Sequence, residues 1–263
     1  MKEKLIVKVM NFHSLIRVDS AKRQATKYMQ MEREVSEIID MIVNNRNFIL
    51  DKTMFTVDES KPALNIYFGS DYGFCGSINF AVNKKIAEDI DGIQVLIGRK
   101  LRSPRKDGVI KLNREEFSSR YGELEALLHD GLRNNSFSAI NVIYYQYNNI
   151  SSIELTEKKI FPYDIKRHGS DSYKEDYYVE GDMNTILTNL ITSFLNYEIK
   201  IAAVSSFASE NVFRQNSTSE SLKKIEEIEA EETAEVRKEK TQKEFKKVID
   251  SYMKKGTKGV RKC

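Results

Sequence analysis

Residues 183–208 read MNTILTNLITSFLNYEIKIAAVSSFA. Within them Met183, Leu187, Leu190, Phe194, Tyr197, Ile201, Val204 and Ala208 recur by alternating steps of three and four residues. That spacing is a heptad seam, narrower than the apolar stripe of a helix lying on a globular surface. Asp182, after Gly181, supplies an N-cap. The register continues through Gln215, Thr218, Leu222 and Ile225 until Glu229 and Glu232 occupy it, and no Gly or Pro interrupts the chain before Gly256.

A second arm of the same kind lies at the N-terminus. Val18, Ala21, Ala25, Tyr28, Glu32, Val35, Ile39, Ile42, Arg46 and Ile49 follow the same alternation, and neither Pro nor Gly occurs between Met1 and Ser60. If the arms pair antiparallel with Lys52 near Met183, Ser14 falls opposite a residue near Ser221. The apolar seam of the second arm then ends where its partner runs out. At about 1.5 Å per residue, Met183 to Tyr252 spans on the order of 100 Å. The stretch beyond Ile228 is a lone charged helix of roughly 25 residues, marginal in water without packing. It calls for a sleeve.

Between the arms the pattern changes. Leu64–Phe68 ends at Gly69 and Ile93–Ile97 ends at Gly98, both short apolar runs. Residues 139–147 and 150–161 are β-branched and aromatic, and residues 78–89 and 121–133 have helical periodicity. Strands alternating with helices predict a small α/β layer structure. The polar, aromatic-rich residues 166–180 read as a loop. The expected division is a helical arm over 1–58, an α/β domain over 59–180, a second arm over 181–255 and a basic tail over 256–263.

Composition narrows the possible functions. Hydrophobic residues make up 40% and charged residues 31%, with 3 Pro and 12 Gly, a breaker-poor balance that favours long helices. A net charge of +3 gives no nucleic-acid signal. Cys75 and Cys263 lack any CxxC or Cys/His spacing, and His13, His129 and His168 lack ligand spacing, so neither a disulfide framework nor a metal site is predicted. The N-terminal apolar run is too short for a signal peptide, and no stretch approaches a membrane helix. A soluble chain is expected, held at any membrane only through partners.

Gly69-Ser70-Asp71-Tyr72-Gly73-Phe74-Cys75-Gly76-Ser77 follows a strand and opens a helix, where a phosphate loop sits in nucleotide-binding folds. It matches neither GxxxxGK[ST] nor GxGxxG and has no Lys, so a structural turn is the stronger reading. Cys75 near a helix N-terminus invites a nucleophile reading, which needs His129 or His168 brought close by the fold. At the far end, Glu226, Glu227, Glu229, Glu231, Glu232 and Glu235 precede a basic stretch that begins at Arg237. A solvated helix with a basic tail explains this block, as does a basic tip meeting an acidic or carbonyl-lined ring.

Taken in order, these residues resemble the gamma subunit of F-type rotary ATPases. Ser70-Asp71-Tyr72-Gly73-Phe74-Cys75-Gly76-Ser77-Ile78-Asn79 is similar to that family's Ser-Asp-x-Gly-Leu-Cys/Ala-Gly-Gly-x-Asn turn. Ile97-Gly98-Arg99-Lys100 is similar to its Ile-Gly-Arg-Lys strand end, and Ala208-Ser209-Glu210-Asn211-Val212-Phe213-Arg214 to its Ala-Ser-Glu-His-x-x-Arg. Arg237, Glu244, Phe245, Val248 and Ile249 keep the spacing of its C-terminal motif. The departures are Lys238 for a family Gln, Gln242 for a Thr, Asp250-Ser251 for a Gly pair, and His13-Ser14-Leu15-Ile16 in place of the N-terminal motif. They are the pattern of a paralogue from an alternative rotary ATPase.

The resemblance implies an antiparallel two-helix coiled coil with a Rossmann-like α/β domain inserted between its arms. It implies a central-stalk rotor with no catalytic, cofactor or metal site of its own. The seam is expected at Val18, Ala25, Tyr28, Val35, Ile39 and Ile42 against Leu187, Leu190, Phe194, Ile201 and Val204. Contacts to a hexamer of alpha and beta subunits are expected at Arg214, Arg237, Lys238 and Gln242, with the structural turn at Ser70, Asp71, Gly73, Cys75 and Gly76. An epsilon-like subunit and a membrane ring of c subunits would face the α/β domain, at the cytoplasmic face of the cell membrane and without nucleic acid. A non-rotary coiled-coil adaptor and a nucleotide-binding enzyme are the competing readings.

Overall fold

The computed structural model describes residues 2–44, 57–164 and 180–259. Arg46, Ile49 and Lys52 of the expected first arm, most of the expected 166–180 loop, His168 and Cys263 lie outside them. The element order is α1 (Lys2–Val43), β1 (Leu64–Phe68), α2 (Ile78–Glu88), β2 (Ile93–Ile97), β3 (Val109–Leu112), α3 (Arg114–Ser119), α4 (Tyr121–Arg133), β4 (Ile140–Asn149), β5 (Ser152–Phe161) and α5 (Met183–Gly259). Val57 and Asp58, expected at the end of the first arm, are not helical. Asp58 instead caps a turn by accepting from the Ser60 N–H and hydroxyl. The chain forms two compact units, one of Asn11–Ser217 and one of Met1–Met10 with Thr218–Cys263.

In the larger unit the sheet runs in the order β3-β2-β1-β4-β5. The first four strands are mutually parallel and β5 is antiparallel to β4. Parallel pairing needs crossovers, which α2 supplies between β1 and β2 and the α3–α4 pair between β3 and β4. Each face of the sheet carries its own core. Tyr67, Leu96 and Ile143 meet Ile78, Val82 and Ile86 of α2 on one side. Ile66, Val95 and Val142 share the other core with Leu124 and Leu128 of α4, Ile39 of α1, and Ile191, Leu195 and Ile199 of α5.

The two long helices are antiparallel within this unit. Asn11 Nδ2 donates to the Gln215 carbonyl at 3.0 Å. At the other end, Tyr163 contacts both Ser36 (2.7 Å) and Asp40 (3.1 Å) of α1 and stacks edge-on against Phe194 of α5. Burial pushes the Tyr163 phenol up to about 12. The Asn11–Gln215 level differs from the expected Ser14–Ser221 pairing. Along α1, Val18, Ala21, Ile39 and Ile42 are buried and Ala25, Tyr28 and Val35 half-buried; along α5, Leu187 and Phe194 are buried and Leu190, Ile201 and Val204 half-buried.

A second row on α5, Ile191, Leu195, Ile199 and Ala202, is buried throughout, whereas Leu190, Tyr197, Ile201 and Val204 of the heptad row are half-buried. It turns toward the sheet, so α5 packs on two faces at once. A heptad reading selects one stripe and overlooks the other.

In the smaller unit Lys4 reaches Glu229 at 2.6 Å and Glu226 at 3.4 Å, and the Glu229 hydrogen bond holds the ammonium above its ordinary pKa. From Ala230 to Ser251 every residue of α5 is exposed. No helix among the described residues is long and apolar enough to cross a membrane.

Candidate functional site

Three sequence motifs, distant along the chain, meet at the C-terminal end of the parallel strands. The turn after β1 is built around Ser70, which is fully buried. Its N–H donates to Asn79 Oδ1 at 3.0 Å, and Asn79 Nδ2 returns a bond to Ser70 Oγ at 2.7 Å. Ser70 Oγ donates to the Tyr72 carbonyl at 2.9 Å, and Cys75 Sγ lies 3.2 Å from the same hydroxyl. Ser70 and Asn79 thus satisfy each other's polar groups across the turn. That interlocking suits a structural turn, and the loop carries no Lys to reach a phosphate.

Asp71 links this turn to the ends of the next two strands. Its Oδ1 accepts from the Arg99 N–H at 2.9 Å, just after β2, and its Oδ2 from the Arg114 N–H at 3.1 Å, at the start of α3. One carboxylate therefore fixes three loops. Gly98, in the Ile-Gly-Arg-Lys motif, has φ +135°, and a Cβ there would stand 2.9 Å from the Gly69 carbonyl carbon. The two loops cross backbone to backbone, which only glycine permits.

The third motif lies on α5. Glu210 is buried, and its Oε1 pairs with Arg214 one turn on, while Oε2 lies 3.3 Å from Arg114 Nη1. The Oε2 contact lies off the axis of a good hydrogen bond and acts as a charge pair. The Arg114 guanidinium also stacks on Phe207, 3.9 Å from the ring centroid. Burial pulls its pKa below the ordinary arginine value, and the Glu210 and Asp71 charges pull it back up. Arg214 Nε donates to the Gly73 carbonyl at 3.4 Å and Nη1 to Asn211 Oδ1 at 3.1 Å. Arg214, expected at a partner surface, is therefore buried and engaged inside the chain.

The remaining expected positions divide clearly. Cys75 is buried and Gly73 and Gly76 are exposed, whereas Arg237, Lys238 and Gln242 are all exposed in the smaller unit. The histidine that a Cys75 nucleophile needs is not supplied by His129, which lines a groove between α4 and α5 with Asp182 and Thr185. Beside the junction is an open cleft of about 560 Å³, where Arg17, Arg99 and Arg114 are balanced by Asp71, Glu115 and Glu210. Equal numbers of opposite charges give it no net attraction for a polyphosphate. Cys75→Ala is expected to lower the melting free energy by only about 1 kcal/mol, the cost of a small cavity. It should leave the ATPase turnover of any complex containing the chain unchanged within two-fold, and a large loss of turnover in a steady-state assay would restore the nucleophile.

Arg114 was not legible as a functional residue. It belongs to α3, a six-residue helix that follows the four-residue strand β3, and both elements are too short for periodicity to reveal. The available signal was the capping box Asn113…Glu116, whose reciprocal bonds are both formed (2.7 and 2.9 Å).

A tight turn, a buried ion network and two long packed helices meet at this junction. The family model described as ATP synthase matches residues 2–244, and the chain belongs to that family. Its relatives there are gamma chains. The ATP synthase gamma chain of Rickettsia typhi is 24% identical over 177 residues, covering 62% of this chain and 61% of the relative. That of Mycoplasma mycoides is 25% identical over 224 residues, covering 81% and 79%. The fold also resembles a chain in the central stalk and c-ring structure of the Tetrahymena thermophila mitochondrial ATP synthase, with TM-score 0.54 and 15% identity over 82% of this chain and 99% of that one.

Proposed function

We propose that this chain is the central-stalk rotor of an F1-type rotary ATPase, coupling ATP turnover in a hexamer of alpha and beta subunits to rotation. The observation that carries the reading is the end of α5, whose exposed residues run from Ala230 to Ser251 and change from acidic to basic. A helix of that length without packing is marginal in water, so it needs an enclosing partner. A hexamer that grips by charge and offers few apolar interlocks permits rotation. Arg237, Lys238 and Gln242 are the positions for that contact, and Arg214 is not.

The α/β domain then faces an epsilon-like subunit and a c-ring, which place the chain peripherally at the cytoplasmic face of the cell membrane. The test is affinity purification of the tagged full-length chain from its own cells. The expected result is stoichiometric recovery of two homologous nucleotide-binding subunits together with ATPase activity. Recovery of the chain with other proteins and without those subunits would favour the adaptor reading and defeat this one.

A further inference from the structure

Resting on the rotor reading above, we propose that Glu210 is the latch that passes twist between α5 and the α/β domain, with Arg114 as its counterpart. Apolar contacts resist separation but are non-directional, and they oppose turning a helix about its own axis only weakly. Resistance to turning comes from directional contacts on more than one side of the helix.

α5 has such contacts at one level. Ser205 Oγ accepts from the Tyr147 N–H at 2.8 Å, and Ser209 Oγ donates to the Tyr145 carbonyl at 3.1 Å, holding one stripe of the helix to β4. Phe207, Glu210 and Arg214 form a second stripe, roughly 150° around the helix from the serines at about 100° per residue. That stripe is held by Arg114 and by the Gly73 carbonyl.

The second grip closes on itself. Asp71 fixes the Arg114 backbone, the Arg114 side chain meets Glu210, Glu210 meets Arg214, and Arg214 returns to Gly73 in the same turn as Asp71. Glu210 is the one group in this ring that pairs with both guanidiniums, and it is 2% exposed. Its charge is therefore little screened by solvent. Removing it takes away the carboxylate that the Arg114 and Arg214 guanidiniums share on this side of the helix. Glu210 acts by positioning and takes no part in bond chemistry.

The experiment uses the complete alpha, beta and gamma complex, immobilised through the hexamer, with a bead on Ile150→Cys at the exposed β4–β5 hairpin. Angular spread within each rotational dwell is recorded beside bulk ATP hydrolysis. Glu210→Gln and Arg114→Met are each expected to widen the spread about two-fold while hydrolysis stays within about two-fold of the parent. The double variant should be no wider than Glu210→Gln alone, and Arg114→Lys, which keeps a cation, should stay near the parent. An unchanged spread in assembled complexes overturns the latch, whatever happens to yield or hydrolysis. If Glu210→Gln does not assemble, the comparison of Arg114→Met with Arg114→Lys decides, because it leaves the Glu210–Arg214 pair intact. A parent complex that hydrolyses ATP without turning the bead would instead overturn the rotor reading.

Discussion

Leu195→Asp is expected to leave no cooperatively folded protein. Leu195 is fully buried in the core that α5 shares with the sheet, α4 and α1. Removing the side chain there costs about 2–5 kcal/mol in lost transfer and cavity energy. An unpaired carboxylate at the same place adds several kcal/mol or is forced to protonate. The sum rivals the roughly 5–15 kcal/mol that holds a typical domain together. Val204→Asp, on the half-buried heptad row, should weaken the pairing of the arms and leave the α/β domain folded. Circular dichroism melts of the two variants test the contrast. A sharp, parent-like transition for Leu195→Asp would mean that the sheet-facing row of α5 is not the core row.

Gly98→Ala is expected to be nearly as damaging, although it adds one methyl group. At φ +135° an L side chain is strained by about 1–3 kcal/mol. The new Cβ would also press on the Gly69 carbonyl carbon at 2.9 Å and its oxygen at 3.0 Å. Backbone cannot rotate away as a side chain can, and overpacking of this kind adds about 1–3 kcal/mol. The loops after β1 and β2 should separate, taking with them the Asp71 bond to Arg99 and loosening the junction under α5. Gly73→Ala is the control, since a Cβ there meets nothing within 4 Å. Urea titrations should show a large loss of midpoint for Gly98→Ala and almost none for Gly73→Ala; equal midpoints would refute the crossing.

The architecture was legible because its long elements carry strong periodicities. The alternation from Met183 to Ala208 and that from Val18 to Ile42 predicted paired helices, and the apolar runs at Leu64 and Ile93, alternating with helical segments, predicted a small α/β layer structure. The second buried face of α5 was hidden, because Ile191, Leu195 and Ile199 lie beside the heptad positions and a narrow seam passes over them. Of the junction, the turn motif and the Glu210–Arg214 segment were visible as separate strings. That they meet is a tertiary fact, set by the order of the strands. Arg114 stood in a segment with no periodicity, and Arg214 was expected at a partner surface on the resemblance alone, with nothing in its own sequence neighbourhood to show that Gly73 and Glu210 would enclose it.

The bond from Asn11 to Gln215 joins residues 204 positions apart. During synthesis α1 is made well before α5, its partner. For that interval the apolar row from Val18 to Ile42 has no second helix to cover it. Closing so long a loop through an unfolded chain is slow. A sheet that folds in between shortens the distance to be searched and supplies the Ile39 end with a surface to dock on. The topology therefore predicts an assembly order in which the α/β domain forms first, α5 is laid onto it, and α1 docks last, to be checked by pulse-labelling hydrogen exchange during refolding. A chain with a slowly folding α/β domain would expose its sticky first helix for longest, and aggregation during expression would be its earliest symptom.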